Sequence, residues 1–69
     1  MIKSKLPQLM ADEKIRSISE LSRITKLNRR TLTNLYDEKS NGIDFSTLEA
    51  LCKYFNCQVG DILYWEEGD

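Results

Sequence analysis

Between Ser17 and Tyr36 the chain reads SISELSRITKLNRRTLTNLY, two helix-length stretches with room for only a short turn between them. In the first stretch Ile18, Leu21, Ser22 and Thr25 recur at helical spacing. Ser17 stands where its hydroxyl accepts from the Glu20 backbone N–H while Glu20 reaches back to Ser17, which fixes the helix start. In the second stretch Asn28 is placed to cap the first free N–H groups, and Leu32, Leu35 and Tyr36 form one apolar stripe expected to face inward. Lys26, Leu27 and Asn28 are then the turn, with Leu27 buried at the bend. A link this short, apolar in its middle, makes two helices cross steeply so that their inner faces share a core.

The opposite face of the second helix carries Arg29, Arg30, Thr33 and Asn34. Two guanidinium forks and two uncharged hydrogen-bonding side chains are the residue types that read phosphates and base edges. The net charge of −1 argues against a nucleic-acid surface, but the distribution reverses that impression. Residues 1–40 hold nine Lys or Arg against five Asp or Glu, and residues 41–69 hold one against six, so the halves carry +4 and −5. Six basic residues (Lys14, Arg16, Arg23, Lys26, Arg29, Arg30) lie between Lys14 and Tyr36 with a single acid, Glu20. A solvated charged face accounts for any one of them. A cluster beside a helix N-terminus, whose free N–H groups already attract anions, favours nucleic acid.

With 69 residues the chain is expected to be a single domain, 1–69, with a thin core. Cys52 and Cys57 are too few for a disulfide framework and, with no histidine in the chain, do not complete a four-ligand zinc site. They read as two small buried hydrophobes, with a regulatory thiol pair as the alternative. No stretch has the form of a signal peptide or the roughly 18 apolar residues of a membrane span, so a reducing cytoplasm and no membrane partner are expected. The absence of histidine, of a glycine-rich phosphate loop and of scaffolded paired carboxylates argues against an enzyme. No cofactor, metal or small-molecule ligand is expected.

Elsewhere the chain supplies further helices. Leu6-Pro7 opens a first helix, from Pro7 to about Lys14, with Leu6, Leu9 and Met10 on its apolar face and Ile15 plugging the core behind it. Asp37 to Gly42 is a polar loop, after which Ile43 returns to the core. Asp44 is expected to cap a fourth helix bearing Leu48, Leu51, Cys52 and Phe55, closed by a left-handed Asn56. Val59, Ile62 and Leu63 suggest a short fifth helix. Tyr64 and Trp65 are adjacent and cannot both face inward on a helix, so residues 64–66 are expected to extend and pair with 2–5 as an antiparallel ribbon joining the two termini. There the aromatics would cover the core or a second subunit.

These segments together resemble the phage-repressor type of helix-turn-helix domain, the family of lambda repressor, Cro and the xenobiotic-response-element-like bacterial regulators. The resemblance covers nearly the whole chain and rests on SISELSRITKLNRRTLTNLY as the reading unit, DFSTLEALCKYF as the fourth helix and NCQVGDIL as the fifth. It implies an all-α, compact five-helix bundle of the lambda-repressor type. It also implies a sequence-specific DNA-binding transcriptional regulator, a repressor, that places its third helix in the major groove of double-stranded DNA; a single copy reads only a few base pairs, so specific binding needs a homodimer on adjacent half-sites. Carried over by position, Arg29, Arg30, Thr33 and Asn34 read bases. Arg16, Ser17, Lys26, Asn28, Thr31, Lys39, Ser40 and Asn41 contact phosphate. Two positions depart from the family pattern. Lys26 stands where glycine is common, and a left-handed backbone there costs a lysine roughly 1 kcal/mol, which predicts a somewhat different turn. Ile18 stands where a polar contact is usual, which leaves the main-chain N–H groups of the second helix to hold the DNA backbone. The rival function is a protein-interaction module of the same fold, an antirepressor or antitoxin component, binding through the acidic half or the Tyr64-Trp65 surface.

Overall fold

The computed structural model describes residues 1–39 and 42–68. Its order is β1 (Ile2–Ser4), α1 (Leu6–Asp12), α2 (Ile18–Thr25), α3 (Arg29–Tyr36), α4 (Phe45–Phe55), a 3-10 turn (Val59–Asp61) and β2 (Leu63–Trp65). The core is built from the inner faces of the four helices: Leu6 and Met10 from α1, Ile15 behind it, Leu21 from α2, Leu32 and Leu35 from α3, Leu48 and Leu51 from α4, with Ile62 closing it. Leu6, Leu21, Leu32, Leu51 and Ile62 are fully buried, and with no large aromatic among the buried residues the core depends on aliphatic packing.

Helix α1 stops two residues short of the expected end. Lys14 takes a left-handed backbone (φ 58°), which lets the Ile15 N–H donate to the Met10 carbonyl at 2.8 Å and turns the Ile15 side chain back into the core. Helix α4 ends at a left-handed Asn56 (φ 52°), as expected, but Asp44 makes no side-chain cap. Only its carbonyl serves, accepting the Leu48 N–H at 3.1 Å.

The expected fifth helix is corrected to a single 3-10 turn, so the described residues form four α-helices and not five. Gly60 sits in its middle, where glycine disfavours a helix. The turn is held instead by the Gln58 N–H donating to the Asp61 carboxylate at 3.0 Å and the Asp61 N–H donating to the Gln58 carbonyl at 2.9 Å. The apolar spacing that suggested a helix has another use: Ile62 is fully buried, Leu63 begins β2, and Val59 stays half exposed.

The antiparallel ribbon forms one residue earlier than expected in the second strand, pairing Ile2 with Trp65, Lys3 with Tyr64 and Ser4 with Leu63. The Lys5 N–H extends it to the Ile62 carbonyl at 2.7 Å, and the Glu66 N–H extends it to the Met1 carbonyl at 2.8 Å. The adjacent aromatics take opposite faces: the Lys5 ammonium lies 5.3 Å from the Tyr64 ring centre, while Trp65 is largely exposed. One further bond ties the ribbon to the helices, from the Ser4 N–H to the Glu38 carboxylate at 2.8 Å, with Glu38 itself left-handed (φ 60°).

Cys52 and Cys57 are half-buried free thiols packed at the edge of the core. Burial pushes the Cys57 thiol above its ordinary value, with Cys52 and Asp61 adding to the effect. A raised thiol favours the folded state below the unfolded pKa and loses that advantage as pH rises through the folded one. Cys57 is therefore expected to react with iodoacetamide more slowly in the folded protein than in urea at mildly alkaline pH, measured by mass spectrometry of the alkylated peptide. Truncating the centre is expected to cost far more than any edge change: Leu21→Ala or Leu32→Ala should lower stability by about 2–5 kcal/mol in urea denaturation.

Candidate nucleic-acid interface

The site begins at the turn between α2 and α3. Ser17 is extended, and its hydroxyl accepts the Glu20 N–H at 3.1 Å. The reciprocal half of the expected arrangement is shifted by one residue, because the Glu20 carboxylate accepts from the Arg16 N–H at 2.9 Å and not from Ser17. With those groups engaged, the N–H groups of Ile18 and Ser19 are the ones the first turn of α2 leaves without a partner among the described residues. At the other end of α2, Lys26 takes the left-handed conformation (φ 61°) that glycine would adopt more cheaply. The Ser22 hydroxyl donates to the Leu27 carbonyl, and Leu27 packs half-buried against the core as expected.

Asn28 then opens α3. Its side-chain oxygen accepts from the Arg30 N–H at 2.8 Å and the Thr31 N–H at 3.2 Å. With the oxygen committed to the helix, the carboxamide nitrogen keeps its two donors for a group outside it. Leu32 and Leu35 are buried on the inner face, and Arg29, Arg30 and Thr33 are exposed on the outer one. Residues four apart on a helix are neighbours, so Arg29 lies beside Thr33, and Arg30 beside Asn34, which is half-buried.

The remaining expected contacts fall around this face in different ways. Arg16, Ser17, Lys26 and Lys39 are exposed, Thr31 is half-buried with its N–H already used by Asn28, and Ser40 and Asn41 lie outside the described residues. The Lys39 N–H donates to the Asn34 carbonyl at 2.8 Å, which fixes the loop after α3 to the end of that helix.

Tyr36 is a correction. Its spacing placed it in the inward stripe, but it is 40% exposed and lines a shallow cleft with Pro7, Ala11, Arg16, Ser17 and Ile18. Tyrosine has an apolar body and a polar tip, so a place at the end of an apolar stripe is satisfied by burying the ring and leaving the hydroxyl at the rim. That amphipathic character was the signal available in the sequence.

Two surfaces thus meet at one side of the molecule: the outer face of α3 with its guanidinium groups, and the N-terminus of α2 flanked by Arg16, Ser17 and Tyr36. The chain from residue 5 to residue 68 matches the Cro/C1-type HTH DNA-binding domain. This chain belongs to the Cro/C1-type helix-turn-helix family. It is also 40% identical over 53 residues to the uncharacterized HTH-type transcriptional regulator YozG of Bacillus subtilis (strain 168), a match taking in 77% of this chain and 63% of that protein. The Cro/C1-type chain therefore spans less than two thirds of that relative's length. No helix of the described residues is long and apolar enough to cross a membrane, and none of them form a group of three or more His, Cys, Asp or Glu able to hold a metal ion.

The caps and the left-handed turn make separable predictions about the site's scaffold. Asn28→Ala is expected to cost about 1 kcal/mol by removing the acceptor for two N–H groups. Lys26→Gly should be neutral to stabilising by up to about 1 kcal/mol, and Lys26→Val should be destabilising by more than about 1 kcal/mol, because a β-branched residue tolerates the left-handed region worst. Thermal denaturation of the three variants checks both.

Proposed function

We propose that this Cro/C1-type chain, read as one domain over residues 1–69, is a sequence-specific transcriptional regulator that lays α3 in the major groove and represses by occupying its site. The observation that carries this reading is the outward display of Arg29, Arg30 and Thr33 on the helix whose other face holds Leu32 and Leu35 in the core. A rigid inner face fixes where the guanidinium groups stand, which is what base readout requires of its scaffold.

In this arrangement Arg29 and Arg30 read guanine edges through bidentate hydrogen bonds, and Thr33 and Asn34 contact neighbouring bases one turn further along. Asn34 contributes through the part of its side chain that is not covered. Phosphate contacts come from Arg16, the Ser17 side, the N–H groups of Ile18 and Ser19, the Asn28 carboxamide, Lys26 and Lys39. Thr31 supports them through its hydroxyl, since its N–H is already bonded. Tyr36 joins this set through its hydroxyl. Ser40 and Asn41 continue the series after Lys39. The name of the B. subtilis relative, an HTH-type transcriptional regulator, agrees with this use. A single copy covers few base pairs, so specific binding takes two copies on half-sites about 34 Å apart.

The test separates base-reading from phosphate contact. After selection of bound duplexes from a random pool, Arg29→Ala and Arg30→Ala are expected to lose about 1–3 kcal/mol on the selected duplex and much less on random DNA. Lys39→Ala should weaken both alike and reduce the slope of log K against log salt by about 1. Equal losses on both duplexes for all three variants would contradict the division of roles. Binding that does not respond to salt would contradict the DNA reading itself and favour a protein partner.

A further inference from the structure

Helix α4 ends on two thiols. Asn56 takes the left-handed backbone there, and the Cys52 carbonyl accepts the N–H groups of both Asn56 and Cys57, the latter at 3.0 Å. A helix end closed in this way folds the chain back over its own last turn, so that the residue after the cap meets the one whose carbonyl it bonds. Cys52 and Cys57 accordingly stand within hydrogen-bonding reach of each other. Any two small apolar side chains would satisfy such a contact. This chain has two cysteines in all, and the fold brings both to one point, half-buried and free.

The surroundings select among the ligands that two sulfurs can hold. Both thiols pack against the edge of the core, and Cys52 also lines an open apolar groove of about 460 Å³ with Phe45, Leu48, Glu49, Lys53 and Val59, of which Phe45 is 83% exposed. Asp61, whose carboxylate accepts the Gln58 N–H at 3.0 Å, acts on Cys57 through its charge. It does not join the thiols in a group of three or more metal-ligating side chains, and the described residues hold no such group. A structural zinc ion takes four ligands and is not served by this pair. Copper(I), a filled-shell ion that soft thiolates prefer and that two of them satisfy, is served.

We propose that Cys52 and Cys57 form a two-sulfur site for a soft monovalent cation of the copper(I) class. Binding replaces two S–H bonds by two Cu–S bonds, and both protons leave to solvent with no change of oxidation state. The apolar flank of the site limits the access of water to the ion. Lys53, which lines the same groove, supplies a positive charge near the anionic pair of sulfurs. None of these residues belongs to the face of α3, so occupancy of the site is measured without DNA and stands or falls apart from the reading of that helix.

The test uses the full chain, anaerobic and fully reduced, titrated with copper(I) in competition with the chelator bicinchoninate. The wild type is expected to take one ion per chain from the chelator and to release about two protons for each ion bound. Bound copper(I) should also protect both thiols from iodoacetamide, read by mass spectrometry of the alkylated peptides. Cys52→Ala and Cys57→Ala are each expected to leave the ion with the chelator, and so is an equimolar mixture of the two, because both sulfurs come from one chain. Zinc(II), offered against a zinc-sensitive dye, should stay with the dye. Circular dichroism melts show that each variant is folded, and the wild-type measurements stand without them. A wild type that leaves copper(I) with the chelator, a single-cysteine variant that retains it, a mixture that recovers it, or zinc(II) held against the dye would each overturn the proposal.

Discussion

The turn between α2 and α3 is the constraint on which the rest of the molecule depends. Lys26 enters the left-handed region there, the Ser22 hydroxyl ties down the Leu27 carbonyl, and Asn28 caps the next helix within the following residues. No slack remains in three residues held this way. The inner faces of α2 and α3 must meet, and Leu21 and Leu32 are accordingly both excluded from solvent. The outer face of α3 is then a consequence of the buried one. The direction in which Arg29, Arg30 and Thr33 project is set by Leu32 and Leu35, so the charged face has a fixed orientation relative to the N-terminus of α2.

Closure of so small a core needs help from outside the helices. The ribbon joins residues from the two ends of the chain; the Lys5 N–H on the Ile62 carbonyl lengthens it, and the Ser4 N–H on the Glu38 carboxylate ties it to the loop after α3. The second of these matters for the site, because Glu38 lies in the same short loop as Lys39, directly after α3. The Ser4 N–H of β1 therefore helps hold the segment through which Lys39 is brought beside the end of α3. The acidic half of the chain meanwhile stays with α4 and the ribbon, so that the basic cluster between Lys14 and Tyr36 faces few acids of its own segment.

Much of this was legible from the sequence because it rests on local rules. Ser17 and Asn28 cap as their residue types and positions dictate, Asn56 closes α4 in the left-handed region, and the bounds of α2 follow directly from its caps and spacing. The misreadings arise where a local pattern has a competing tertiary use. Val59, Ile62 and Leu63 have helical spacing, but a strand pairing with β1 takes Leu63, and Gly60 weakens the helical alternative. Tyr36 fits the apolar stripe by position, yet its amphipathic ring is placed at a cleft rim. Asp44 has the chemistry of a cap but contributes only its carbonyl. The exposure of Phe45 could not be read from spacing, since it depends on where the neighbouring elements end. At Lys26 the backbone enters the left-handed region that a lysine disfavours locally, while Leu27 beside it packs against the core.

The DNA contact proposed above rests on the face of α3 that the buried Leu32 and Leu35 orient. Nuclear magnetic resonance of the isotopically labelled chain, titrated with a short duplex carrying one selected half-site, tests it most directly. The largest shifts are expected on the amides and side chains of Arg29, Arg30, Thr33 and Asn34, with the Ser17, Ile18 and Ser19 amides next. Shifts concentrated on the ribbon or the acidic segment, with α3 unmoved, would contradict it.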